Sequence, residues 1–125
     1  MKILIVDDER DIEDLFKQKF RKETRNLGLE LVFAFSGQEA LNILGSENPP
    51  EVMYVFSDIN MPGMSGLEML SIAKERFPQI QISMISAYGD SENYNKAMES
   101  GAKGFFTKPV DFEALRKEIV KILTK

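Results

Sequence analysis

Residues 52–66 read VMYVFSDINMPGMSG, from Val52 to Gly66, and the fold turns on this stretch. Val52 to Phe56 is an apolar run too short for a helix, so it reads as a strand buried on both faces. It ends at Ser57-Asp58. The residues that follow carry Pro62, Gly63 and Gly66, which makes them a loop. Ser65 with Glu68 has the spacing of a capping box and opens a helix with Leu67, Leu70 and Ala73 facing inward, ended by Pro78. A buried strand, an acid at its carboxyl end, a turn-rich loop and a capped helix together form half of a strand–helix–strand unit.

The same alternation continues in both directions. Upstream, Asn48-Pro49-Pro50 stops a helix that Ser36 and Glu39 open and that carries Ala40, Leu41 and Leu44. Leu29, Leu31, Phe33 and Phe35 alternate as in a strand. Gly28 sits where a C-cap belongs, behind a helix marked by Ile12, Leu15, Phe16 and Phe20. Lys2 to Val6 (KILIV) is another apolar strand. Downstream, Ile80 to Ile85 is a fourth strand, Ser91 to Ser100 a helix closed by Gly101, and Gly104 to Thr107 a short fifth strand. Asp111 caps a last helix with Phe112, Leu115, Ile119, Ile122 and Leu123 on one stripe. Five strands alternating with five helices imply an α/β fold: a parallel sheet covered by helices on both faces, filling residues 1–125 as one domain.

Composition narrows the chemistry. The chain has 125 residues, 43% of them hydrophobic and 29% charged, which suits a single folded domain. It holds no cysteine and no histidine, which excludes disulfides, thiolate or imidazole metal sites and Ser-His catalysis. The net charge of −4 argues against direct nucleic-acid binding. No apolar run approaches the roughly 20 residues of a membrane span, and no secretory cleavage pattern follows the start, so an intracellular, cytoplasmic location is expected, without a membrane partner. Acids crowd the segment Asp7, Asp8, Glu9, Asp11, Glu13 and Asp14, whereas residues 116–125 are basic on balance.

In open α/β sheets, sites form beyond the carboxyl ends of the strands. Those ends carry Asp7 and Asp8 after the first strand, Asp58 after the third, Ser86 after the fourth, and Lys108-Pro109 after the fifth. Read singly, each is ordinary: Asp7-Asp8 as acids favoured at a helix N-terminus, Asp58 as a turn residue, Ser86 as a loop hydroxyl, Lys108 as a solvated cation. Brought to one rim, three carboxylates outnumber one ammonium. A carboxylate pair at about 4 Å costs roughly 4 kcal/mol at an effective dielectric of 20. Such a site must raise a pKa or recruit a cation. A divalent ion balances the charge, and an all-oxygen donor set favours magnesium or manganese over zinc. A carboxylate beside such an ion can act as a nucleophile towards phosphorus.

ILIVDDE, SDINMPGMSG, ISAYGD and GFFTKPV, in this order on successive strands, resemble the motifs of the response-regulator receiver (CheY-like) family, across essentially the whole chain. The resemblance implies a flavodoxin-like, doubly wound sheet of order 2-1-3-4-5. It implies phosphorylation of Asp58 in a two-component system, from a histidine kinase or histidine phosphotransfer protein. Asp8, Asp58 and the Asn60 carbonyl would ligate Mg2+, or Mn2+, with Asp7 acting through water. Lys108 would pair with Asp58 and then with the phosphoryl oxygens. Ser86, helped by the Ala87 N–H, would bind the phosphoryl group, and Phe105 would be an aromatic switch that packs inward. Phe105 is equally readable as plain core. The Lys108-Pro109 bond is expected to be cis. A downstream protein would bind the face made by the fourth helix, fifth strand and fifth helix, around Tyr94 and Lys103, and dimerisation on phosphorylation is left open. Such a chain is not an enzyme in the turnover sense; it catalyses its own phosphoryl transfer and slow self-dephosphorylation.

The sequence departs from the family pattern at Ser57, where an apolar residue is usual, and at Ser65, where an acid is frequent. Ser86 is the less common of Ser and Thr, and Phe105 lacks a tyrosine hydroxyl. Asn60 and Tyr88 occupy positions that tune phosphoryl lifetime, and an aromatic at Tyr88 is expected to slow self-hydrolysis. Three other readings compete. A phosphorylation-independent interaction module of the same fold is opposed by the intact set Asp7, Asp8, Asp58, Ser86 and Lys108. An aspartyl-nucleophile phosphohydrolase is opposed by Asn60, an amide where its second acid belongs. A flavodoxin-type electron carrier lacks its phosphate loop after the first strand.

Overall fold

The computed structural model describes residues 1–46, 51–87 and 91–124. The expected Asn48-Pro49-Pro50 loop and the Tyr88 position lie outside the described residues. Five strands, β1 (Lys2–Val6), β2 (Glu30–Ala34), β3 (Val52–Asp58), β4 (Gln81–Ser86) and β5 (Gly104–Thr107), form one parallel sheet in the order β2-β1-β3-β4-β5. This is the order that the family resemblance implied. The helices are α1 (Asp11–Lys19), α2 (Arg21–Leu27), α3 (Gly37–Gly45), α4 (Gly66–Arg76), α5 (Ser91–Glu99) and α6 (Phe112–Leu123).

Alternation along each strand sends side chains to two separate cores. Leu4, Val6, Val55, Ile82 and Met84 pack with Leu41 and Leu44 of α3, Leu70 and Ala73 of α4 and Ala97 of α5. Ile3, Ile5, Phe56 and Ile85 face the other way, onto Phe16, Phe20, Leu115 and Ile119 from α1, the α1–α2 junction and α6. The sheet is therefore covered on both faces, which is why β1, β3 and β4 read as nearly continuous apolar runs. Tyr54, buried on the α6 side, bonds its hydroxyl to Ser83 Oγ at 2.6 Å, and burial pushes its pKa up to about 12. Among the described residues no helix is long and apolar enough to cross a membrane.

Helix termini follow the capping residues. Ser65 and Glu68 form the complete reciprocal box at α4, Ser36 Oγ accepts from the Glu39 N–H at α3, and Asp111 accepts from the N–H groups of Glu113 and Ala114 at α6. Gly28 closes α2 with φ 70°, a left-handed conformation that glycine adopts at little cost.

Among the described residues, six helices stand where the sequence suggests five. The first expected helix breaks at Phe20, whose φ of −110° and ψ of 24° leave the helical region. Arg116 of α6 explains how the break is tolerated. Its guanidinium donates to the Lys19 carbonyl at 2.5 Å, lies over the Phe20 ring, and pairs with the buried Glu23 of α2 at 3.4 Å. A cation from a distant helix thus satisfies a carbonyl at the interruption. Leu15, at helical spacing with Phe16, is 38% exposed, while Phe16 and Phe20 are buried. The alternating Leu29 and Phe35 flank β2 rather than belong to it.

Arg116→Ala would leave Glu23 a largely buried charge without its cation, at a cost of about 2–4 kcal/mol. Asp111→Ala, which removes only a helix cap, should cost about 1 kcal/mol. Urea denaturation of both variants checks the order. Equal losses would show that Arg116 does not hold the α1–α2 junction.

Candidate functional site

Each acid reaches the rim by a different local device. Asp7 follows β1, and its N–H continues the ladder by donating to the Ala34 carbonyl at 3.1 Å. One carboxylate oxygen then accepts from the Glu9 N–H at 3.0 Å, a local turn that holds the side chain at the strand end. Asp7 is buried and Asp8 beside it is exposed. Asp58 is the last residue of β3, 5% exposed, and the Ile59 N–H carries the pairing one step further to the Ile85 carbonyl. Ser86 ends β4, fully buried. Its carbonyl accepts from the Lys108 N–H at 2.8 Å, which seats Lys108 at the end of β5. The Lys108-Pro109 peptide is cis, as expected.

Residues 101 positions apart therefore meet. Lys108 Nζ lies 3.1 Å from Asp7 Oδ2 and 3.4 Å from Asp58 Oδ2. The family resemblance pairs Lys108 with Asp58; here the ammonium bridges both acids and is nearer to Asp7. Asp7, Asp8 and Asp58 each offer an oxygen, and these three oxygens lie within 4.8 Å of one another.

The charges are unbalanced, and the titration behaviour reflects this. The Asp58 carboxyl is raised above the usual carboxylate range, first by burial and then by the charge of Asp7. Lys108 and the Asn60 backbone N–H pull it down without cancelling the rise. Burial works against the Lys108 ammonium, but Asp7, Asp58 and the more distant Glu9 outweigh it and hold its pKa above the ordinary value. A pocket with three close carboxylate oxygens, one shared ammonium and a carboxyl that resists ionising fits a hard divalent cation. Every side-chain donor in the cluster is oxygen, so a soft metal has nothing to bind.

The loop after Asp58 is folded tightly against the strand end. Gly63 has φ 76°, and the Gly66 N–H donates to the Ile59 carbonyl at 2.7 Å. A Cβ on Gly66 would come 2.0 Å from the Asp58 carbonyl oxygen, so only glycine fits. The sequence marks Gly66 as a loop residue but carries no signal of this close approach. Asn60 is exposed beside Asp58.

The remaining expected residues sit as follows. Ala87 is exposed directly after Ser86, and Pro109 is exposed after Lys108. Phe105 is half-buried in β5, where it packs on the α3–α4–α5 core and meets the exposed Tyr94 ring edge-on at 5.6 Å between centroids. It thus belongs partly to the core and partly to the surface beside α5. Ser57 is fully buried and donates its hydroxyl to the Asp58 carbonyl.

Comparison with known proteins agrees with this fold. Residues 3–120 match the family described as the response regulator receiver domain. Sporulation initiation phosphotransferase F of Bacillus subtilis is 35% identical over 98% of this chain and 93% of its own length. A cyclic di-GMP phosphodiesterase of Thermotoga maritima is 32% identical over 98% of this chain but only 31% of its own, so the chain spans about a third of that relative. Among solved structures, a response regulator receiver domain protein of Clostridium thermocellum superposes with a TM-score of 0.83 at 31% identity, covering 98% and 94% of the two chains. CheY in the CheX-CheY-BeF3-Mg+2 complex of Borrelia burgdorferi superposes with a TM-score of 0.85 at 29% identity, covering 100% and 90%. With the strand order, the acidic rim and the bridging lysine already in place, the chain belongs to the response regulator receiver family of two-component signalling.

Proposed function

We propose that residues 1–125 act as one phospho-accepting switch, in which Asp58 takes a phosphoryl group from a phosphohistidine of a kinase or phosphotransfer protein. The observation that carries this reading is the Lys108 ammonium held between Asp7 and Asp58, with three carboxylate oxygens gathered within 4.8 Å. Asp8, Asp58 and the Asn60 carbonyl would hold the cation, magnesium or manganese, and Asp7 would reach it through water. When bound, such an ion polarises the phosphoryl oxygens and offsets their charge.

The chain's own residues do the rest. Asp58 attacks phosphorus in line through one carboxylate oxygen as the bond to the donor imidazole nitrogen breaks. Lys108, already within 3.4 Å of Asp58, turns its charge towards the incoming phosphoryl oxygens. Burial of Asp58 keeps bulk water from competing for its carboxylate, and the fixed charges around it need little rearrangement in the transition state. This is transfer by positioning and electrostatics. Ser86 Oγ and the Ala87 N–H then bond the new phosphoryl group.

The readout follows from the same contacts. A phosphoryl group that draws Ser86 and Ala87 towards Asp58 favours inward packing of Phe105, which sits two strand positions before Thr107, the partner of Ser86. Phe105 then leaves the Tyr94 ring, and the face of α5, β5 and α6 changes for a protein partner that binds it in trans or on the same chain. This is a population shift between two packings, driven by extra hydrogen bonds in one of them. CheY of Borrelia burgdorferi, solved with CheX, is a related fold bound to a protein.

Incubation with acetyl phosphate and magnesium should add one phosphoryl mass to the parent and none to Asp58→Asn or to a chelator-treated sample. An unmodified parent, or a modified Asp58→Asn, would contradict the assignment.

Metal-free stability gives a second expectation. The folded-state pKa of Asp58 is raised, so its ionised form is disfavoured in the fold. That penalty is absent below the unfolded-state pKa and fully present above the raised folded value. Asp58→Asn should therefore melt above the parent at neutral pH without magnesium. The gap should close on acidification through the raised pKa. Magnesium should raise the parent's midpoint more than the variant's. Thermal scans across pH check the sign, and an Asp58→Asn protein less stable than the parent at neutral pH would contradict it.

A further inference from the structure

The backbone carbonyl of Asp58 is held from two sides. The hydroxyl of Ser57, a residue with no exposed surface, donates to it at 3.0 Å. Gly66, returning from the far end of the loop, lies against the same oxygen so closely that a Cβ would reach to 2.0 Å. The peptide plane between Asp58 and Ile59 has little freedom under these contacts. That plane fixes two things at the site. It sets the direction in which the Asp58 side chain leaves the end of β3, and it aims the chain towards Asn60, whose N–H donates to the Asp58 carboxylate.

A buried hydroxyl must spend its hydrogen somewhere, and a strand interior offers few acceptors. An apolar residue would pack at this position without donating anything. Here the donor goes to the carbonyl of the reacting residue itself. We propose that Ser57 is a positioning residue for Asp58, its hydroxyl fixing the Asp58–Ile59 peptide plane and so the aim of the carboxylate. The proposal rests on Asp58 being the phosphoryl acceptor. Ser57 touches neither the phosphoryl donor nor the cation; it acts through the backbone of the residue beside it.

The test compares the parent with Ser57→Ala and Ser57→Thr. Three quantities are measured: the initial rate of Asp58 phosphorylation by acetyl phosphate with magnesium, the urea midpoint, and the 15N resonance of the Ile59 amide in metal-free protein. The last reports directly on hydrogen bonding at the preceding carbonyl, independent of activity. Loss of one aligned hydrogen bond should slow Ser57→Ala by about threefold to tenfold under conditions where it is fully folded. It should also move the Ile59 resonance, and Ser57→Thr should restore both. Parent-like rate and resonance in Ser57→Ala would overturn the proposal, as would a slow Ser57→Thr with the parent's Ile59 resonance. Should Ser57→Ala fail to fold, Ser57→Thr and Ser57→Val, which match in shape and differ in the hydroxyl, decide the matter. A fast Thr and slow Val support the role, and equal rates refute it. A parent that takes no phosphoryl group would overturn the reading of Asp58 and this proposal with it, whereas a phosphorylated parent with an unchanged Ser57→Ala overturns Ser57 alone.

Discussion

Lys108 is one positive charge shared by two buried carboxylates, with a third carboxylate beside them. The site depends on that inequality. Were the charges equal, a closed ion pair would form, with Asp58 spent on Lys108 and no call for a cation. Were Lys108 absent, two buried acids would face each other with nothing to hold them apart or together. One ammonium against three carboxylates leaves a pocket that is assembled but not neutral. Its surplus falls on Asp58, the residue whose ionisation burial and Asp7 both oppose.

The sheet exists, in functional terms, to impose that proximity. Asp7 comes from the end of β1, Asp58 from the end of β3 and Lys108 from just past β5, and parallel pairing through β4 carries all three to one rim. Burial on both faces fixes the register of the central strands, because a slip of one residue would send each side chain to the opposite core, where it does not fit. The placement of Lys108 thus derives from Leu4, Val55, Met84 and their neighbours below the rim. The loop from Ile59 to Ser65 adds the last constraint by folding back until Gly66 meets the Asp58 carbonyl.

Much of this was legible in the sequence, for identifiable reasons. β1, β3 and β4 showed themselves because doubly covered strands are nearly apolar along their length, and β2 by its alternation. Asp7, Asp8, Asp58, Ser86 and Lys108 could be gathered because sites in such folds lie beyond the strands' carboxyl ends. Capping residues at Ser36, Ser65 and Asp111 placed three helix starts. The break at Phe20 was not legible: neither glycine nor proline marks it, and the Arg116 that sustains it lies 97 residues from Lys19. The preference of Lys108 for Asp7 and the contact of Ser57 with the Asp58 carbonyl depend on side-chain directions that strand periodicity does not specify. Gly66 read as a turn glycine, and its closeness to Asp58 emerges only when the loop's two ends are brought together.

The most direct measurement of the central claim is the titration of the Asp58 carboxyl carbon by 13C NMR, in metal-free protein and again with saturating magnesium. Without metal, Asp58 should protonate above the ordinary aspartate value of about 3.9, and with magnesium its titration should move to lower pH. An ordinary or depressed pKa in the metal-free protein, unmoved by magnesium, would mean that the rim carries no unbalanced charge for a cation to answer.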